Sequence, residues 1–354
     1  MNQIKFPFYA RLAFILISIV LIVYLLYVAQ SVLIPLFFAV MISFLLYPLA
    51  RRLEQRAHMS RSTAAFVSIS AFVACLSFLI YIITIQIIRF SHDIPLLQKN
   101  MNNWMQGVQN WIAKEYQLDS TEQVTYLGST INNMLESAAM SFGGIFLQVS
   151  GIIFWIIIVF IYSYFILHHR RLILRFLLAV FPERHKHKVH TVVMETRGVT
   201  NGYLIGLLIE FVIVAIANSV TLWLLGVQYS ILLGLMAAVL NFIPYLGIII
   251  GAALVFLVTM VHGTPQLALQ AAALLFVIHV LDANILFPKV VGDKVKMNAL
   301  ITIVSVLIGG VLWGVAGMFL SIPVSAMLKI IFEHVTELKP WALLMGVEDN
   351  KQIV

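Results

Sequence analysis

The apolar positions fall into eight long blocks, roughly 9–29, 31–50, 62–88, 146–167, 199–225, 229–261, 266–287 and 299–332. A membrane-crossing helix needs about 20 such residues, and six of the blocks have that scale. Blocks 229–261 and 299–332 are too long for one crossing: each makes about 50 Å of helix at ~1.5 Å per residue, against a hydrocarbon core ~30 Å thick. Both are interrupted. The first carries Asn241-Phe242-Ile243-Pro244-Tyr245-Leu246-Gly247, and the second carries Gly309, Gly310, Gly314 and Gly317 followed by Ile322-Pro323. Breakers inside an overlong block predict two half-length helices folded back as a hairpin. The expected architecture is an all-α integral membrane protein of about six full transmembrane helices plus two Gly/Pro-broken hairpins. Pro35 and Pro48 sit near the ends of the second block, where they disturb a helix least.

The two larger polar stretches differ in kind. In 89–145, Leu97, Met101, Trp104, Met105, Val108, Trp111 and Ile112 recur at helical spacing. Val124, Leu127, Ile131, Met134, Leu135 and Ala138 do the same after a capping pair, Ser120 and Gln123. Two amphipathic helices are expected, packed on each other, on the membrane face or on a neighbouring subunit. The stretch 168–198 instead collects Arg170, Arg171, Arg175, Arg184, Lys186, Lys188 and Arg197 and reads as a basic loop. The chain therefore divides into an N-terminal three-span unit (1–88), the amphipathic segment (89–145), a fourth span (146–167), the basic loop (168–198), a core with two broken segments (199–332) and a tail (333–354).

Composition settles the class. Of 354 residues 62% are apolar and 10% charged, where soluble domains carry about 25% charged residues. With a mean hydropathy of +1.00 there is too little polar surface for a cytosolic enzyme, a secreted domain or a disordered regulator. The net charge of +7 reports loop bias rather than nucleic-acid binding. Arg51, Arg52, Arg56 and Arg61 follow the second span, whereas 89–145 holds only Arg89, Lys99 and Lys114 against Asp93, Glu115, Asp119, Glu122 and Glu136. The positive-inside rule puts both termini and the arginine-rich segments in the cytoplasm and 89–145 outside. The hairpin arrangement also keeps Lys289, Lys294 and Lys296 inside, so that 19 of the 22 Lys and Arg lie on the cytoplasmic side. The single cysteine, Cys75, permits no disulfide framework and no cysteine metal site. The first block lacks a small-residue cleavage site and reads as a retained helix.

Few ionisable groups fall within the apolar blocks; among them are Glu210 in the fifth and, one turn apart, His279 and Asp282 in the seventh. Burying a charge there costs about 2.5–3.5 kcal/mol at a helix centre, so such residues face cavities and mark ion or proton paths. Low dielectric disfavours the charged form of a carboxyl group in general, which suits proton carriage. The competing reading is that Asp282, six residues before Pro288, is merely solvated at an interface. Asn218, Asn284 and Lys289 are candidate polar partners. Unwound backbone at membrane depth is tolerated where it lines a cavity, so Asn241, Pro244, Gly247, Gly310, Gly314, Gly317 and Pro323 join the candidate solute or ion path. Against this, glycines also serve close helix packing and prolines merely kink. Gly234 precedes Ile243-Pro244 by about the spacing at which Gly314 precedes Ile322-Pro323, a faint mark of an inverted repeat. His185, His187 and His190 belong to the basic stretch and suggest no metal site. No His-Glu-x-x-His, Gly-x-Ser-x-Gly or phosphate-binding lysine loop occurs, so neither an enzyme nor an ATP-driven pump is expected, and no cofactor.

Gly202-Tyr203-Leu204-Ile205-Gly206, Leu225-Gly226, Leu233-Gly234 and Asn241 to Gly247 together form a pattern. Asn284-Ile285-Leu286-Phe287-Pro288-Lys289-Val290-Val291-Gly292, then Gly309-Gly310-Val311-Leu312-Trp313-Gly314-Val315-Ala316-Gly317-Met318 and Pro323, continue it. The chain in these segments resembles the AI-2E family of bacterial membrane proteins, the PerM-like permeases. The resemblance is specific between 200 and 330, extends to Pro182-Glu183, and rests on hydrophobic pattern alone in the first spans. It implies a bacterial inner-membrane transporter, in the family named for export of the quorum-sensing signal autoinducer-2, some members being linked to sodium/proton antiport. It marks Pro244, Gly247, Asn284, Pro288, Gly292, Gly314, Gly317 and Pro323 as family positions. The expected function is export of a small polar solute, coupled to a proton or monovalent cation at Glu210 or Asp282. Alternatives are a sodium/proton antiporter, or a homo-oligomeric scaffold or passive pore with 89–145 as its assembly surface.

Overall fold

The computed structural model describes residues 7–92, 99, 106–107, 151, 153–243 and 246–347. The amphipathic helices expected within 89–145 lie outside the described residues, apart from the end of the third helix. The described chain is helical throughout its length, without a strand among the described residues. In order it comprises α1 (Phe8–Val28), α2 (Gln30–Arg56), α3 (Arg61–His92), α4 (Ile153–His168), α5 (Arg170–Val180), α6 (Glu183–Leu224), α7 (Ser230–Leu240), α8 (Leu246–His262), α9 (Pro265–Leu281), α10 (Ala299–His334) and α11 (Lys339–Met345). Two π-helical turns, Asp282–Leu286 and Pro288–Gly292, follow α9.

Six of these helices are long and apolar enough to cross a membrane, or seven spans if the bent pair α4–α5 counts as one. The six include α10, yet its internal contacts show that it folds back. Trp313 (φ −135°, ψ 20°) and Gly314 (φ +60°, ψ −143°) leave helical geometry. Beyond them Gly317 lies against the Gly309 carbonyl, where a Cβ on either glycine would collide with the other's backbone. Ser325 Oγ donates to Ser305 Oγ at 2.9 Å. Residues 20 apart in one straight helix would stand about 30 Å apart, so the block is a hairpin. Block 229–261 is also broken at the expected place: α7 ends at Leu240, α8 begins at Leu246, and Gly251 faces Ala237 across the fold.

The stretch 168–198 is helical rather than a loop. It forms α5, set at 68° to α4, and the first turns of α6. Arginine, lysine and glutamate are good helix formers, and Leu172, Ile173, Phe176, Leu177 and Val180 give α5 one apolar face. None of its residues is buried.

The chain forms two compact units, each discontinuous in sequence. The first comprises Met1–Phe66, Ile158–Tyr203 and Lys294–Val354. Small residues permit its close helix contacts: Ala39, Ala50, Ala64 and Ala65 are fully buried. Ser43 Oγ donates to the Ser163 carbonyl at 3.2 Å, and Ser62 and Tyr164 share a 2.6 Å hydroxyl contact. Asn298 caps α10 by accepting from Ile301 N–H at 2.8 Å, and its own amide donates to the Leu344 carbonyl at 2.6 Å, holding α11. Trp313 Nε1 donates to the Leu26 carbonyl at 3.0 Å.

The second unit comprises Val67–Ile157 and Leu204–Asp293. Its core gathers Phe90, Leu222, Leu232, Leu233, Val255 and Leu275. Here α6 runs beside α7, with Gly234 against Ser219, and beside the π turns, with Gly206 against the Val290 carbonyl. Thr264 Oγ1 accepts from Leu267 N–H at 3.2 Å with Pro265 in the first turn, the pattern of a well-made helix start. This packing of α6, α7, α8 and α9 positions the site.

Candidate functional site

Three polar residues from separate elements meet inside the second unit. Glu210 comes from mid-α6 and is 5% exposed; Asp282 opens the first π turn and is also 5% exposed. Asn241 caps the C-terminus of α7, where the helix ends ahead of α8. Its amide Nδ2 donates to Glu210 Oε1 at 3.1 Å and to Asp282 Oδ2 at 2.9 Å. One side chain thus ties together two carboxyl groups that lie 72 residues apart in sequence.

Local structure explains the convergence. Helix α7 stops at Asn241, and the stacking of Phe242 on Phe211 (5.5 Å between ring centroids, 20° between planes) seats the broken segment against α6 near Glu210. At the other partner, the chain widens into a π turn in which Phe287 N–H reaches back five residues to the Asp282 carbonyl. Such turns occur mostly at functional positions in helices.

An amide has only two N–H donors and no charge, and both donors are committed. The other oxygens, Glu210 Oε2 and Asp282 Oδ1, are buried and reached by no donor of a further residue among the described ones, while the two carboxyl groups lie within hydrogen-bonding range of each other. No Lys or Arg forms an ion pair with either carboxyl group there. Beside the triad lies a cavity of about 20 Å³ lined by Asn218, Asn241, Gly247, His279 and Asp282, with apolar walls that include Val214, Ile248 and Leu275. A water-sized guest needs roughly 10–15 Å³ of such space, so the cavity admits one guest of that size. No group of three or more His, Cys, Asp or Glu suited to a metal ion occurs among the described residues.

Of the residues singled out from the sequence, Glu210, Asn218, Asn241, Gly247, His279 and Asp282 are brought to this one place. The partner of the two carboxyl groups is Asn241, not Asn284 or Lys289. Asn284 Nδ2 donates to the Val280 carbonyl at 2.7 Å, and Pro288 and Lys289 are exposed on the second π turn. Pro244 lies outside the described residues. Gly310, Gly314, Gly317 and Pro323 belong to the hairpin of the other unit. There Gly314 occupies a backbone region open to glycine, and Pro323 is buried.

A second polar group went unrecognised in the sequence. In the first unit Arg170 Nη2 donates to both oxygens of Glu54 at 2.6 Å, and the side chains are each 16% exposed. The Tyr47 ring carries the Arg197 guanidinium at 4.1 Å and that of Arg170 at 5.3 Å from its centroid. The arginines had signalled topology alone, and Glu54 stands 116 residues from its partner.

Residues 16–337 match the model of the AI-2E family transporters. The chain is 24% identical over 318 residues to the "Putative transport protein YrrI" of Bacillus subtilis strain 168, covering 87% of each chain. It is 26% identical over 344 residues to a Haemophilus influenzae protein bearing the same general description, covering 91% of this chain and 92% of the other. Over 122 residues, 34% of this chain and 36% of the relative, it is 30% identical to the "AI-2 transport protein TqsA" of Escherichia coli K12.

Proposed function

Given that the chain belongs to the AI-2E transporter family, we propose that it is a secondary transporter of the bacterial inner membrane that exports a small polar solute, autoinducer-2-like in chemistry, against an inward flow of protons or monovalent cations. The observation that carries this reading is the Glu210–Asn241–Asp282 triad: two buried carboxyl groups bound to one neutral amide. Uncompensated charge in a membrane interior is costly, and a proton or a monovalent cation removes that cost when it binds. The carboxyl groups sit on α6 and on the π turn after α9, while Asn241 sits at the broken α7–α8 hairpin. Binding at the triad therefore changes the forces between elements that alternating access has to move.

Cavity size bears on what the triad holds. At about 20 Å³ it accepts an ion or a water and is too small for an organic solute, so the triad is assigned to the coupling ion. The same observation favours a second reading, a sodium/proton antiporter in which the ion is itself the cargo.

Proton flux in proteoliposomes tests both. An internal pH dye reports the response to sodium, lithium, potassium or a panel of small polar solutes, for wild type beside Glu210→Gln and Asp282→Asn. A solute-triggered pH change lost in both variants supports coupled export. A cation-triggered change without solute, again lost in both, supports antiport. Unchanged flux in folded, inserted variants overturns the coupling role.

A further inference from the structure

The first unit holds a groove of about 520 Å³ between α2, the α4–α5 bend and α6, which shares no residue with the carboxyl triad. Its lining is two-faced. Arg51, Arg170, Arg171 and Arg197 contribute four positive charges against the single negative charge of Glu54, whereas Leu167, Ile173, Leu174, Leu177, Val193 and Met194 supply apolar wall. Glu54 is taken by Arg170. Arg51, Arg171 and Arg197 make no ion pair with a carboxylate among the described residues. Arg197 is held in place by its seat on the Tyr47 ring. A second recess of about 420 Å³ shares Phe44, Tyr47, Arg51, Gln55 and Arg197 with the groove and adds Arg52.

Helix α5 forms one side of this groove. It leaves α4 at 68° and buries none of its own residues, and it leaves Leu172, Phe176 and Val180 exposed at 57%, 63% and 59%. A basic amphipathic helix after a membrane span, bent away from it, has the character of a helix lying in the lipid interface.

We infer that this groove binds an anionic phospholipid, its phosphate held by Arg51, Arg171 and Arg197 and its acyl chain laid along the apolar wall from α5. The charge excess calls for an anion, and guanidinium forks match phosphate oxygens. The apolar wall gives a free phosphate nothing to contact but gives a lipid a surface for its tail. Basic pockets between membrane helices recognise headgroups by this same pairing of charge and depth. A zwitterionic lipid brings the same phosphate but a cationic choline beside it, so its net charge does not offset the excess of arginine in the groove.

The test uses the purified full-length protein in neutral detergent, titrated with fluorescent phosphatidylglycerol, with phosphatidylcholine and with inorganic phosphate. Wild type should bind phosphatidylglycerol saturably, and phosphatidylcholine at least ten-fold more weakly. At about five-fold per basic residue, the triple change Arg51→Gln, Arg171→Gln and Arg197→Gln should weaken binding on the order of a hundred-fold. Lys186→Gln with Lys188→Gln, outside the groove, should leave binding within two-fold. Arg51→Gln and Arg171→Gln singly, both at exposed positions, should each cost about five-fold, which keeps the test open if the triple variant does not fold. Equal binding of both lipids, or wild-type affinity in the arginine variants, overturns the inference. Displacement of phosphatidylglycerol by inorganic phosphate at comparable concentration also overturns it and marks a site for a soluble anion.

Discussion

Replacing Asn241 by leucine removes the amide at the centre of the carboxyl triad while nearly keeping its shape. Two hydrogen bonds are lost, of 3.1 and 2.9 Å. Side-chain hydrogen bonds between membrane helices average about 0.6 kcal/mol and reach about 1.7, so the bonds alone are worth some 1–3 kcal/mol. The larger effect is what remains: two carboxyl groups, each 5% exposed, lose the one amide that serves both and are left facing each other. A buried acceptor left unsatisfied costs about 1–3 kcal/mol. Asn241→Leu should therefore destabilise the protein by about 3 kcal/mol. In a Glu210→Leu, Asp282→Leu background no acceptor remains to be stranded, and the same substitution should cost less than about 1 kcal/mol, since apolar replacement of a complete buried polar group is often close to neutral. Equilibrium unfolding in mixed detergent micelles at fixed pH, run as a mutant cycle, measures the difference. A coupling near 2 kcal/mol is expected. Additivity to within ~0.5 kcal/mol, the behaviour of independent sites, would show that Asn241 does not bridge the carboxyl groups.

Other outcomes follow from the same geometry. Gly314→Ala, at φ +60° and ψ −143°, should lose about 1–3 kcal/mol from backbone strain alone, measurable by thermal unfolding in detergent. Gly317→Leu should be worse, because its side chain would enter the Gly309 backbone, and should abolish the folded peak in size-exclusion chromatography. Glu54→Gln breaks the ion pair with Arg170 at a site 16% exposed and should lower the unfolding midpoint by a shift worth about 1–3 kcal/mol, with Arg170→Gln in the same background adding little. Ser325→Ala should cost no more than about 1.7 kcal/mol, the upper end for a bond between membrane helices, in the same unfolding assay.

Much of this was open to inspection in the sequence. The apolar blocks give the spans because nothing but continuous helix satisfies the backbone in lipid, and excess length plus breakers identified both hairpins. Glu210 and Asp282 stood out because charge is rare in such blocks. That Asn241 joins them was not visible: the amide reaches residues 31 and 41 positions away, and contacts of that range follow from packing of α6, α7 and α9 rather than from any local pattern. Proximity in sequence pointed to Asn284, whose amide turns to its own helix instead. The helicity of 168–198 did have a signal, the apolar face from Leu172 to Val180, but the density of Arg, Lys and His obscured it. The π turns around Pro288 left no mark beyond the proline itself.

Helix α1 buries none of the side chains described along it, and Trp313 reaches its end with a hydrogen bond to the Leu26 carbonyl. Its 21 residues extend about 31 Å, close to the ~30 Å of hydrocarbon they would cross. A helix fitted to its surroundings by length rather than by packing takes its tilt from the thickness of the lipid around it. In a thinner bilayer α1 leans over, in a thicker one it stands up, and either movement is felt at Leu26. The indole bond would carry such a movement from α1 to the tip of the α10 hairpin.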